Sequence, residues 1–294
     1  MHGPLGAVYA LGAVLALWAA GVGVGIDHSI REVLAPLRRT GLVVKIALID
    51  VIVLPALVWA LVNTLQVPAG YATGLLLVGI ASAGPLALKA AQLARADAVA
   101  ALSLIVALEL ANLVAVPFWS SIVLPARAEI DQVNVLLTIV AVVVLPLAVG
   151  LACKRLAPVF SNRLSSVLPT VANVTLIAAV GAVLLRDWSA VADAAGQRVP
   201  LVAALAVTAA LGLGWLAGGP GRDTRRAAAL VTGIRANALA LAIAASTFPD
   251  DPQVRAGVIV FALFSIILPL AAALLVGRRS KGVASSADPF IPLV

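Results

Sequence analysis

Cysteine, histidine and charge are what this sequence has least of. Its 294 residues include one cysteine, Cys153, and two histidines, His2 and His28. A single thiol closes no internal disulfide, and so few imidazoles supply no zinc site unaided. Aromatic residues make up 4% and charged residues 11%, against roughly 25% charged in soluble domains, so a water-soluble globule is excluded. The constellations of an enzyme are missing too. Gly218-Gly219-Pro220-Gly221-Arg222 reads as a turn and lacks the Lys-Ser/Thr of a phosphate loop. Asp27, His28 and Ser29 are consecutive, a spacing that does not itself assemble a triad. The chain therefore reads as a non-enzyme with no cofactor and no metal site.

Apolar residues dominate: 63% of the chain, with a mean hydropathy of +1.12. Runs bounded by charge, Pro or Gly fall at roughly 6–26, 41–63, 68–96, 98–124, 132–152, 166–186, 200–218, 224–248 and 255–276. A spanning helix needs about 20 mostly apolar residues and a barrel strand about ten alternating ones. The runs fit helices. Nine spans consume almost the whole chain, so the expectation is an all-α polytopic membrane protein with one transmembrane domain, 1–294.

The net charge of +7 does not point to nucleic acid, because the bases sit in short clusters between apolar runs. Alternate connections carry Arg31, Arg38 and Arg39, then Arg95, then Lys154, Arg155 and Arg163, then Arg222, Arg225 and Arg226, then Arg278, Arg279 and Lys281. The others hold Arg127, Arg186, Arg198 and Arg255 among the acids Glu129, Asp131, Asp187, Asp193, Asp250 and Asp251. Positive loops stay cytoplasmic, which predicts a cytoplasmic C-terminus and, with nine spans, an N-terminus outside the cell (inner) membrane. Met1 to Gly6 has no basic stretch, which argues against a cleaved signal peptide. Trp18, Trp59, Trp119, Trp188 and Trp215 lie mostly near span ends, as interfacial anchors do.

Five charges fall inside spans: Lys45, Asp50, Lys89, Glu109 and Arg235. Each costs about 2.5–3.5 kcal/mol at a bilayer centre on insertion scales, so they are expected to face protein or water. Lys45 is near a span end, where it can snorkel. Glu109 reads as a partner for Lys89 or Lys45, with a proton-carrying role as the alternative. Asn112 and Asn173 read as bonds between helices.

Two runs look broken. The stretch from Pro68 to Ala96 would exceed 40 Å as one helix, at about 1.5 Å per residue, and Ser82-Ala83-Gly84-Pro85 is the natural interruption. The eighth run carries Thr232-Gly233-Ile234-Arg235-Ala236-Asn237 at its middle. Paired interrupted helices near mid-membrane point to a transporter site whose half-helix ends aim partial charges at what is bound.

These segments resemble the bile acid:sodium symporter family. Pro68-Ala69-Gly70 through Leu76-Leu77-Val78-Gly79, the Gly84 region and Leu93-Ala94-Arg95 are similar to its first crossover helix. Gly233 to Ala240 is similar to its second, and Trp18 to Leu37, with Gly21, Gly23, Gly25 and Asp27, to an early element onto which the chain opens. The resemblance implies two inverted repeats, a panel (6–26, 132–152, 166–186) and a core (41–63, 68–96, 98–124, 200–218, 224–248, 255–276), with two broken helices crossing in the core.

It also implies where sodium ligands would lie. For one ion the matching positions are Ala87, Leu88, Ala101, Ile105 and Val231, none of which offers a side-chain oxygen. For the second they are Asp50, Val231 and Arg235. The reading is a secondary transporter of a small organic anion in which an Asp50–Arg235 pair stands in for sodium. The candidate site region comprises Asp50, Gly84, Pro85, Lys89, Glu109, Gly233, Arg235 and Asn237. The alternatives are a non-transporting sensor or partner subunit, and metalloid (arsenite) efflux, which the place of Cys153 in the fifth span disfavours.

Overall fold

A computed structural model describes residues 4–27, 40–84, 86–123, 137 and 140–286. Among them every regular element is helical. The first half comprises α1 (Pro4–Asp27), α2 (Thr40–Leu48), a π-helical turn at Ile49–Val53 running into α3 (Leu54–Thr64), α4 (Ala69–Ile80), α5 (Leu86–Leu93) and α6 (Ala98–Val123). The second comprises a π turn at Val140–Val144 running into α7 (Leu145–Leu156), then α8 (Pro158–Arg186), α9 (Trp188–Gly196), α10 (Val199–Ala217), α11 (Arg222–Gly233), α12 (Asn237–Thr247) and α13 (Pro252–Ser286). Pro85 lies outside the described residues, as do His2, His28, Ser29, Arg31, Arg38, Arg39, Arg127, Glu129 and Asp131, and the side chains of Asp27, Asn173, Arg279 and Lys281.

Among the described residues six stretches are long and apolar enough to cross a membrane: Thr40–Thr64, Ala98–Ile122, Pro158–Arg186, Val199–Ala217, Arg222–Thr247 and Pro252–Arg278. Leu11–Gly23 and Ala69–Ile80 are shorter apolar helices. The sequence runs thus map onto helices, but not one for one. The run at 68–96 divides into α4 and α5, and the run at 132–152 is described continuously only from Val140. The short helix α9 occupies what looked like a loop.

Small residues bring these helices together, since lipid tails remove most of the hydrophobic drive for helix association and close packing replaces it. Helix α1 lies along α7 and α8, and a methyl group on Gly25 would fall 2.8 Å from the Gly150 Cα. Helix α4 lies along α13, where a methyl group on Gly74 would fall 3.0 Å from the Gly257 Cα. One apolar cluster joins α1, α3, α4, α6, α8, α9, α10, α12 and α13; a second joins α2, α5, α6, α11 and α13. The most apolar window of α11–α12 is 94% buried and that of α8 only 18%. The interrupted element therefore sits at the centre and α8 at the lipid-facing edge. Irregular backbone at membrane depth requires such a wrapping of protein.

At one end of the molecule a buried ion pair ties α8 to α13. Arg255, in the first turn of α13, donates from Nε to Asp187 Oδ2 at 2.6 Å and from Nη2 to Asp187 Oδ1 at 3.0 Å, while Nη1 donates to the Pro249 carbonyl at 2.7 Å. From sequence both residues looked like loop charges; here both are buried. Nearby, the Tyr71 hydroxyl donates to the Ala190 carbonyl at 3.0 Å and the Tyr9 hydroxyl to the Leu241 carbonyl at 2.6 Å. Removing one member of a buried pair strands the other, at about 3–5 kcal/mol, whereas replacing both with apolar groups is often neutral. Asp187→Asn or Arg255→Met alone is therefore expected to lower the melting temperature of the purified protein sharply, with most of the loss recovered in Asp187→Leu/Arg255→Met.

Candidate functional site

The site forms where the two interruptions meet. Helix α4 ends at Ile80, residues 81–84 are non-helical, and α5 begins at Leu86. Ala83 holds a left-handed φ of 47°, a conformation that disfavours any side chain with a Cβ. Helix α11 ends at Gly233 and α12 begins at Asn237. A Cβ on Gly233 would come within 2.7 Å of the end of the Leu211 side chain, which would have to shift to admit it. The breaks touch directly: the Ala236 N–H donates to the Ala81 carbonyl at 3.2 Å. A Cβ on Gly84 would stand 2.7 Å from the Arg235 carbonyl oxygen, so glycine is what lets the two strands approach.

Each interruption frees backbone groups that water cannot satisfy at this depth. Arg235 and Asn112 satisfy them. The Arg235 guanidinium donates from Nη2 to the Gly79 carbonyl at 2.6 Å and from Nε to the Val78 carbonyl at 3.3 Å. These are the last-turn carbonyls of α4, the negative end of that half-helix. The third arm of the fork, Nη1, meets Asp50 Oδ1 in an ion pair. Both side chains are buried, Asp50 completely. Asp50 comes from the π turn before α3. The widened backbone there exposes the Val51 carbonyl, which accepts from Trp119 Nε1, and the Asp50 carbonyl, which accepts from the Ser82 hydroxyl at 3.4 Å.

Asn112 treats Ser82 as a strand partner would: its Oδ1 accepts from the Ser82 N–H and its Nδ2 donates to the Ser82 carbonyl, both at 2.9 Å. The same Nδ2 lies 3.4 Å from Glu109 Oε2. A series of polar contacts thus runs from Glu109 through Asn112, Ser82 and Asp50 to Arg235. Asn237 stands apart from it, accepting at Oδ1 from the Ser265 hydroxyl of α13 at 3.0 Å.

The other candidates lie further out. Lys45 and Lys89 are exposed, and neither forms an ion pair among the described residues. Glu109 is half-buried and meets the Asn112 amide, where sequence reasoning favoured a lysine. Ala87, Ala101, Ile105 and Val231 are buried in a single apolar cluster, with Leu88 packed against it. Sequence reasoning passed over the π turn, the Trp119 bond and the double clamp of Asn112. A mid-span asparagine in an apolar helix was the one signal available, and it read only as helix-to-helix bonding.

The apolar helices, six of them membrane-length among the described residues, mark an integral membrane protein with two interrupted helices and a buried charge pair at their meeting point. The model of the sodium bile acid symporter family matches residues 14–193, and the chain belongs to that family. The match takes in Asp50, the first break and Glu109, and ends before Arg235. Among curated proteins, the chain is 26% identical over 254 residues to the probable sodium/metabolite cotransporter BASS3, chloroplastic, of Arabidopsis thaliana, covering 83% of this chain and 58% of that protein. It is 26% identical over 199 residues to the probable sodium/metabolite cotransporter BASS2, chloroplastic, of Oryza sativa subsp. japonica (67% and 47%), and 28% identical over 200 residues to BASS6 of Arabidopsis thaliana (65% and 49%). The chain spans about half the length of the curated relatives it matches.

Asn112→Leu keeps the volume and removes both bonds to Ser82. An unsatisfied buried backbone group costs about 1–3 kcal/mol, so this variant is expected to melt well below the parent. Asn112→Gln is expected to recover only part, because the longer side chain misplaces the amide. Thermal unfolding in detergent is the check.

Proposed function

We propose that this protein is a secondary transporter of a small organic anion, working by alternating access and without a sodium gradient. The observation that carries the reading is the Arg235–Asp50 pair at the crossing, with the guanidinium bonded to the Val78 and Gly79 carbonyls. A fixed cation lies against the negative end of a half-helix, where the family resemblance implies that a mobile one would bind. The apolar surroundings of Ala87, Ala101, Ile105 and Val231 support the same conclusion for the other ion position, since sodium demands oxygen ligands and finds none on these side chains. An internal pair of this kind also avoids burying either charge uncompensated.

In this reading the chain has nine spans in two inverted repeats, with the C-terminus cytoplasmic, the N-terminus outside, and the protein in the cell membrane. The panel is 6–26, 132–152 and 166–186, and the remaining spans form the core. The substrate binds between them and beside the crossing, near Gly84, Gly233 and Asn237. Lys89, exposed on α5, raises the local concentration of anions on the cytoplasmic side. The chain catalyses no covalent chemistry.

The test is counterflow of a panel of labelled mono- and dicarboxylates in proteoliposomes, with and without an imposed sodium gradient. The expected result is exchange of at least one carboxylate at a rate that sodium does not change. Stimulation by sodium overturns the substitution of Arg235 for the ion, and absence of exchange favours the sensor reading. Asp50→Asn and Arg235→Gln are each expected to reduce exchange at least about tenfold, with substantial recovery in the double variant. Recovery identifies a coupled pair; two independent losses identify separate roles.

A further inference from the structure

Glu109 is the one intramembrane acid that the ion pair leaves out. It is the twelfth residue of the 26-residue α6, which puts it close to the bilayer centre if α6 spans, where a lone carboxylate is costly. Helices α2, α4, α5 and α11 and the π turn pack against α6. Their charged or titratable groups are Lys45 on α2, Tyr71 on α4, Lys89 on α5, Asp50 on the π turn, and Arg222, Asp223, Arg225 and Arg226 on α11. Among the described residues none of these forms an ion pair with Glu109. Asp50 is taken by Arg235. The carboxylate's polar neighbour is Asn112 Nδ2, at 3.4 Å.

That neighbour matters. The Asn112 amide carries two hydrogens and one acceptor oxygen; Oδ1 holds the Ser82 N–H, and Nδ2 is shared between the Ser82 carbonyl and Glu109. Nδ2 has one hydrogen for each acceptor, and an ionised Glu109 holds the amide that clamps the first break through a charge-assisted bond, roughly twice as strong as a neutral one. Once the carboxylate takes up a proton its charge is cancelled, that bond weakens, and the amide is held less firmly against Ser82. The state of one acid is thereby read by the backbone at the crossing, through a single side chain.

We propose that Glu109 is a proton-binding site that couples the first helix interruption to pH, and so supplies the driving ion that the Arg235–Asp50 pair displaces. The carboxylate accepts one proton and no other bond is made or broken. The coupling role rests on the carrier reading above; the proton site itself does not.

The test uses the full chain in liposomes, in a Cys153→Ala background, with Leu86→Cys reporting on the residue that follows the break. Its maleimide labelling rate, divided by that of the same cysteine in the unfolded chain, is followed from acid to alkaline pH. The expected result is a change of about tenfold across the transition of a single titrating site, abolished in Glu109→Gln and restored, with a displaced midpoint, in Glu109→Asp. Infrared difference spectra over the same range are expected to contain a protonated carboxyl C=O band that Glu109→Gln lacks and Asp50→Asn keeps. A labelling ratio flat with pH in the parent, or an equal pH response in Glu109→Gln, overturns the proposal. Should Glu109→Gln fail to fold, an unchanged midpoint in Glu109→Asp overturns it instead. Neither readout requires a substrate, so failed counterflow with an intact pH response removes the carrier and leaves the proton site. Counterflow with no pH response does the reverse.

Discussion

Backbone that leaves a helix inside a membrane must find hydrogen-bond partners in protein, and this constraint organises the centre of the molecule. Two interruptions face each other, and little of what they release is left to solvent. The fork of Arg235 takes two carbonyls of α4, Asn112 takes both groups of Ser82, and the strands exchange a bond at Ala81 and Ala236. The surrounding packing follows: the broken element α11–α12 is enveloped, while α8 is left to lipid.

Charge at the crossing does more than satisfy bonds. A guanidinium is planar, permanently protonated and rigid in its fork, so it can complete a half-helix terminus and neutralise an acid at once. Sodium supplies the charge but not the shape, and it can leave. Tethering the cation between α11 and α12 places that positive charge against the end of α4. The acid on α6 lies one amide away from the same break.

The α8–α13 clamp through Asp187 and Arg255 lies away from this centre and serves a different end. It buries two charges at a helix junction and holds them with a bidentate bond. Charge counting treated both as loop residues because sequence distance said nothing of their meeting: they are 68 positions apart. The Asn112 clamp was hidden for the same reason. Asparagine in an apolar helix announces a partner without naming it.

Much was nonetheless legible in the chain alone. Composition excluded a soluble fold, run lengths marked helices, and Gly84, Gly233 and the polar cluster at 232–237 marked the interruptions, because these features depend on local backbone preference and on the cost of polarity in lipid. Asp50 and Arg235 could be singled out as costly, and family likeness brought them together on paper. Only the tertiary structure decided that the guanidinium reaches Asp50 and two α4 carbonyls together, that Asn112 holds Ser82, and that Glu109 has an amide for a neighbour in place of a lysine. Those facts depend on how helices cross and rotate, which is set by close packing of small side chains over many residues rather than by any local run.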